Sequence, residues 1–185
     1  MPAATLWPGD VLEAYSQNLT RVRVIVCGKR KYAVVPGHIH AHLREHHAEL
    51  DHAVRCSIEA AVTGSGDRLA RSLEAVSYPT PDEPPIAGLT VSPGARACTA
   101  QQTDGQRCRY ACISLKVMKN HCHTVRGWNN PRSRGGRPSA ESYAAYDQQK
   151  PWSDGRLCQR FFKEGAWLKY FEVSHGASAD PCTRG

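Results

Sequence analysis

Apolar and polar positions fall into a sharp pattern from Thr20 onward. RVRVIV (21–26) alternates Arg and Val before ending at Cys27. After the short link GKR, the run KYAVV (31–35) is again rich in β-forming residues. Two such runs around a tight link predict a β-hairpin. Pro36-Gly37 ends the second strand, and HIHAHLREHHAEL follows with Ile39, Leu43 and Leu50 on one face at helical spacing. The same period continues through Val54, Ile58 and Ala61 and predicts a helix that stops at Gly64-Ser65-Gly66. Asp67 is placed to cap a further short helix carrying Leu69, Leu73 and Val76.

The second half opens with YPTPDEPP (78–85), whose four prolines in eight residues exclude a helix interior or a central strand and predict an extended linker. IAGLTV (86–91) is a strand candidate, and RYACISLKVMKNHCHTV (109–125) reads as a strand running into a helix. Residues 127–150 are rich in Gly, Ser, Asn and Pro and predict a basic, flexible loop. LCQRFF (157–162), the link KEG and AWLKYFEV (166–173) carry a second hairpin signal. The expected organisation is therefore a poorly ordered N-terminus (1–19), a first finger-like unit with extended helices (20–77), the Pro-rich linker with a second unit (78–126), the loop (127–150), a C-terminal β-hairpin (151–174) and a tail (175–185). The fold class is α+β: two small ββα zinc-finger-like units joined by a Pro-rich linker, with a closing hairpin.

The two units repeat one another. Arg30-Lys31-Tyr32-Ala33-Val34-Val35 aligns with Cys108-Arg109-Tyr110-Ala111-Cys112-Ile113, and His42 then falls opposite His121 with a one-residue shift. Each unit has the order cysteine, strand, helix, histidine, which in a ββα finger surrounds one tetrahedral ion. In the first, Cys27 sits at the hairpin knuckle, while His42 and His47 have the x4 spacing of a helix-borne ligand pair. His46 offers an alternative through x3 spacing. In the second, Cys98 and Cys108 are separated by nine residues, and twelve separate Cys108 from His121. Arg30 stands where a second Cys belongs in the first unit, and Arg126 stands where a second His belongs in the second. Each set holds three ligands of four. Cys112 and Cys56 read as packing residues, His38 and His40 as solvated, and Cys158 and Cys182 as lone cysteines. Cys122 and His123 adjoin His121 but point to other faces of the helix.

Composition narrows the classes. Twenty-four Lys+Arg against 17 Asp+Glu leave a net charge of +7, and hydrophobic residues make up 41% of the 185 residues. No apolar run approaches the ~18 residues a membrane span needs. The first residues lack the basic start and apolar stretch of a secretory signal. Eight cysteines are about 4% of the chain, half the density of a disulfide scaffold, so a reducing compartment and metal ligation come before bridges.

The ordered set VIVCGKRKYAVVPGHIHAHLREHH, PPIAGLTV, CRYACISLKVMKNHCHTVRGW and RLCQRFFKEGAWLKYFEV resembles the fungal OrsD-like family, named for a protein of the orsellinic acid biosynthesis cluster. The pattern is also similar to segments beside fungal helicase-like and transposon-derived sequences. The resemblance runs from about Thr20 to Val173. It implies two C2H2-like fingers followed by a hairpin, with Cys27, His42 and His47 as ligands of the first finger and Cys98, Cys108 and His121 as ligands of the second. Arg30 and Arg126 are the departures from that pattern.

The expectation is a non-enzymatic protein holding one or two zinc ions, intracellular and nuclear. Its partners would be nucleic acid, through backbone contacts, or another protein, with no membrane and no small-molecule substrate. The candidate phosphate contacts are Arg21, Arg23, Lys29, Arg30 and Lys31 on the first hairpin and Arg126, Arg132, Arg134 and Arg137 after the second helix. Glu45 and Glu49 on the first helix speak against reading base edges. The alternative is a protein-interaction scaffold with partly metal-free fingers, for which Phe161, Phe162, Trp167, Tyr170 and Phe171 supply either a docking surface or a cover over the core. Catalysis has no support from HExxH, a deaminase signature, a P-loop or GxSxG.

Overall fold

The computed structural model describes residues 19–131 and 139–174. The chain is α+β. A short helix α1 (Leu19–Val22) leads into the antiparallel pair β1 (Ile25–Cys27) and β2 (Tyr32–Val34), in register Ile25↔Val34 to Cys27↔Tyr32. The strand is shorter than the Arg/Val alternation predicts, because Arg23 takes a left-handed backbone conformation (φ 60°) that breaks it from Val22. Helices α2 (Ile39–His46) and α3 (His52–Gly64) follow. The single long helix expected through Ala61 is thus two, because His47 leaves helical geometry (φ −137°, ψ 42°) and the chain turns before restarting at His52. Leu69, Leu73 and Val76 lie on or beside 3₁₀ turns at Gly66–Arg68 and Leu73–Ala75.

The second half is built on a closed four-stranded barrel of order β3-β4-β6-β5. Its strands are β3 (Ser92–Cys98), β4 (Ala111–Cys112), β5 (Trp152–Arg160) and β6 (Tyr170–Val173), with helix α4 (Leu115–Arg126) after β4. The C-terminal hairpin forms as expected, Leu157↔Val173 to Arg160↔Tyr170. It does not stand alone, because β5 also pairs along the length of β3, from Ser92↔Cys158 to Cys98↔Trp152. A further helix, α5 (Ala140–Gln149), lies within the stretch expected to be loop; Ser139 caps it by accepting a hydrogen bond from the Ser142 amide. Among the described residues no helix is long and apolar enough to cross a membrane.

Period-2 alternation sorts the first hairpin between two cores. Val24, Val26 and Ala33 pack with Phe161, Phe162 and Phe171, while Ile25, Cys27 and Val34 pack with Ile39, Leu43, Ile58 and Val62. The aromatic residues of the C-terminal hairpin therefore cover a core: Phe161 is fully buried and its ring lies 4.7 Å from that of Phe171. The strand expected over 86–91 is replaced by an irregular segment that one side chain holds in place. Buried Gln159 accepts from the Ile86 amide at 2.7 Å and donates to the carbonyls of Ile86 and Leu89 at 3.0 and 3.1 Å. A side chain on β5 thus does what a neighbouring strand would do, satisfying backbone groups that burial would otherwise leave costly. A third cluster gathers Cys98, Cys112, Met118, Cys122, Tyr146 and Trp152 between α4, α5 and the end of the barrel.

Candidate metal centres

Two groups of donor atoms come together. In the first, the ligand atoms of Cys27, His42 and His47 all lie within 4.8 Å of one another, and all three residues are buried. Cys27 ends β1 with no exposure, where the Arg30 amide donates to its sulfur at 3.4 Å as the chain turns. His42 projects from the middle of α2 and His47 from the residue after its last turn. A regular helix would set His42 and His47 about 140° apart; the departure of His47 from helical geometry after His46 brings its ring round to His42, and the hairpin carries the thiol to them. Cys27 Sγ and His47 Nε2 stand 3.3 Å apart. On its other side, His47 Nδ1 lies 3.6 Å from Glu49 Oε1, and Lys29 holds that carboxylate at 2.5 Å. This chain of contacts orients the ring with Nε2 toward the sulfur.

The electrostatics of this group favour neutral imidazoles. Burial, followed by the neighbouring His47, His46 and Arg30, pushes the His42 pKa down to about 4. Burial also lowers that of His47, against the opposing pull of Glu49. His42 Nε2 is buried with no hydrogen-bond partner among the described residues. An unpartnered imidazole nitrogen inside a protein needs an explanation, and a ligated metal supplies one.

The second group unites Cys98, Cys108 and His121, again within 4.8 Å. Cys98 ends β3, and His121 stands on α4, whose start is capped by the Ser114 side chain. The wide spacing between the two cysteines has a structural cause. Residues 99–107 form a small hairpin excursion with a Gln101↔Arg107 bridge, a Gln102 amide bond to Gln106 O at 2.7 Å and Gly105 at φ 77°. Its ends are tied by the Cys108 amide to Ala100 O and the Cys98 amide to Tyr110 O, both 2.9 Å, so the excursion returns the second thiol to the first. Cys108 Sγ and His121 Nε2 are 3.5 Å apart, and the Tyr110 ring stacks on His121 at 3.9 Å, 9° from parallel.

Arg126, at the end of α4, adjoins the thiols of this group. Its Nε is buried without a hydrogen-bond partner, and Cys108 first, then Cys98, raise its pKa. Cys122, expected to point away from His121, packs against this cluster instead but stays outside the donor set. Burial, with Cys98 beside it, pushes its thiol up to about 12, and it donates to Met118 Sδ at 3.8 Å. It is a packing residue, as are Cys112, whose thiol donates to Ser114 O, and fully buried Cys158. Cys56, expected to pack, is exposed on α3 with its sulfur 3.7 Å from the His52 ring.

The donor chemistry fits zinc. A tetrahedral ion with Zn–S near ~2.3 Å and Zn–N near ~2.0–2.1 Å separates sulfur from nitrogen by about 3.5 Å. The two sulfur–nitrogen distances, 3.3 and 3.5 Å, match that separation.

The basic residues singled out for nucleic acid are mostly engaged within the chain. Arg21 pairs with Glu83, and the Arg23 guanidinium donates to Asp67 O. Lys29 holds Glu49, and the Arg30 guanidinium donates to His46 Nδ1 at 3.0 Å. Lys31 is exposed at the hairpin turn, and Arg126 is half-buried at the second group. Arg132, Arg134 and Arg137 lie outside the described residues. Among side-chain contacts, the Gln159 clamp and the Glu49 contact behind His47 were not legible in the sequence. Only the two-residue offset of Glu49 from His47 could have signalled the second.

Residues 15–127 match the family described as orsellinic acid/F9775 biosynthesis cluster protein D. A protein of that same description from Emericella nidulans is 32% identical over 174 residues, which cover 94% of this chain and 28% of the relative. The chain thus spans less than a third of that relative's length. No solved structure matches. With the match extending over more than half its length, the chain belongs to the family of the orsellinic acid/F9775 biosynthesis cluster protein D.

Proposed function

We propose that the chain is a non-enzymatic zinc-binding module in which two C2H2-like ββα fingers, one ion each, hold hairpins against helices. The observation that carries this reading is the pair of Cys/His triads with donor atoms within 4.8 Å, one with an unpartnered buried imidazole nitrogen. Cys27, His42 and His47 would hold the first ion, and Cys98, Cys108 and His121 the second. Zinc has no redox chemistry of its own here; it supplies cross-links between hairpin and helix. Metal analysis on protein purified without chelator tests the reading. Two zinc ions per chain are expected, and a metal-free protein with an unchanged melting curve would sink it.

The role that follows is regulatory, by association with nucleic acid in the nucleus. The net charge of +7 supports contact with phosphate through counterion release. Because Arg21 and Lys29 already hold carboxylates, the contact is weak and independent of base sequence. A gel shift at low salt that disappears as salt rises is the expected result. A second reading, a protein-interaction scaffold, is favoured by exposed Ile113, Val117 and Val125 on and beside α4, where a groove-reading helix would carry polar side chains. No shift at any salt, with a protein partner recovered on that face, would replace the first reading by the second.

A further inference from the structure

A cavity of about 190 Å³ opens where the Pro-rich segment crosses the barrel. It lies beside the point at which β4 and β6 part, since these strands share the single pair Ala111↔Tyr170. Three aromatic side chains line it: Tyr78 from the Pro-rich segment, Tyr110 before β4 and Phe171 on β6. Two cations line it as well. Lys169 sits with its ammonium 4.2 Å from the centre of the Tyr78 ring, and Arg109 is exposed at the rim. Among the described residues no carboxylate pairs with either of them.

The one acidic wall residue does not oppose an anion. Glu172 is held by Arg107 at 3.1 Å and by Arg156 at 3.5 Å, so its charge is already matched. Size decides what can enter. The volume is below the ~300–1,000 Å³ of sites that take drug-sized ligands, which excludes a nucleotide and leaves room for one substituted ring. Aromatic walls favour a flat, unsaturated ring, and two unpaired cations favour a negative group on it.

We propose that this cavity binds a small aromatic carboxylate, its ring against Tyr78, Tyr110 and Phe171 and its carboxylate on Lys169 and Arg109. The ligand is bound and not turned over. The site shares the Cys108 wall with the second centre but does not rest on metal being there.

The test is a titration of the full chain with benzoate, followed by amide shifts, alongside benzamide and acetate. Benzoate should give saturable shifts gathered at residues 108–110 and 169–172, with benzamide and acetate at least about tenfold weaker, because each lacks one of the two recognition elements. Lys169→Gln and Arg109→Gln, both at exposed positions that leave the fold intact, should each weaken benzoate about five- to tenfold, and Tyr78→Phe should weaken it less. Benzamide binding as tightly as benzoate, acetate binding as tightly, shifts centred elsewhere, or no saturable binding would each overturn the proposal. Zinc content is measured before and after; its loss to benzoate would mean chelation and would equally overturn it. Because the titration is read on the chain whatever its metal content, a negative result here leaves the zinc reading standing, and the reverse also holds.

Discussion

The two candidate centres use the same three-ligand arithmetic but differ in what else holds them together. The first draws its donors from residues 27–47, a hairpin and one short helix, and Cys27 and Leu43 of that unit share one core. The second draws its donors from β3, the segment before β4 and α4, of which β3 belongs to a barrel closed with β4, β5 and β6. One centre cross-links a short stretch of local structure, whereas the other is attached to a sheet with its own hydrogen bonds. Metal should therefore matter more to the folding of the first than to that of the second, since two three-residue strands and a short helix have fewer hydrogen bonds of their own than a closed barrel.

The largest effect should come from Cys27→Ala. It removes one zinc ion and destabilises the first unit by about 3 kcal/mol or more, which lowers the melting temperature by roughly 6–12 °C. Amide exchange should rise through β1 to α3 while the barrel stays protected. After both proteins are stripped with chelator, the difference should shrink to the packing cost of one thiol. His121→Ala is the matching change at the second centre; if it unfolds the barrel as readily as Cys27→Ala unfolds the hairpin, the contrast between the centres is lost.

Gln159→Leu attacks the barrel side. Three backbone groups of Ile86 and Leu89 would lose their buried partner, at a cost of about 2–4 kcal/mol. Denaturant unfolding measures this, and exchange should rise first over residues 86–89. Arg126→His has a smaller effect of opposite sign. It offers the second group a fourth neutral donor in place of a cation, and zinc affinity measured by competition with a chromophoric chelator should rise about tenfold, ~1.4 kcal/mol. Unchanged affinity would show that the helix end does not bring residue 126 to the ion. The smallest change is Lys31→Gly at the first hairpin turn. Lys31 holds φ 56°, a conformation that glycine adopts without strain, so the variant should gain about 0.5–1 kcal/mol in unfolding free energy.

Legibility from the sequence followed the range of the interactions. The first candidate triad could be read from residue type and spacing: the x4 separation of His42 and His47 falls within the range of helix-end ligand pairs, and a tight link puts Cys27 at the knuckle. The pairing of Cys98 with Cys108 across nine residues was harder, because only the closure of the 99–107 excursion makes that distance short. The helix break at His47 was illegible, since the apolar period of Ile39, Leu43 and Ile58 continues through a turn that tertiary packing imposes.

Pattern and spacing alone thus determined the α+β class, the hairpin-then-helix order of the first half and the grouping of Cys27, His42 and His47, because these depend on contacts within a few turns of the chain. Only the tertiary structure decided that β5 pairs with β3 as well as β6, that Gln159 stands in for a strand beside Ile86, and that Arg21 and Lys29 are already paired with carboxylates. Each of these joins residues tens of positions apart, where no local periodicity carries a signal and burial, backbone satisfaction and charge pairing select the partner.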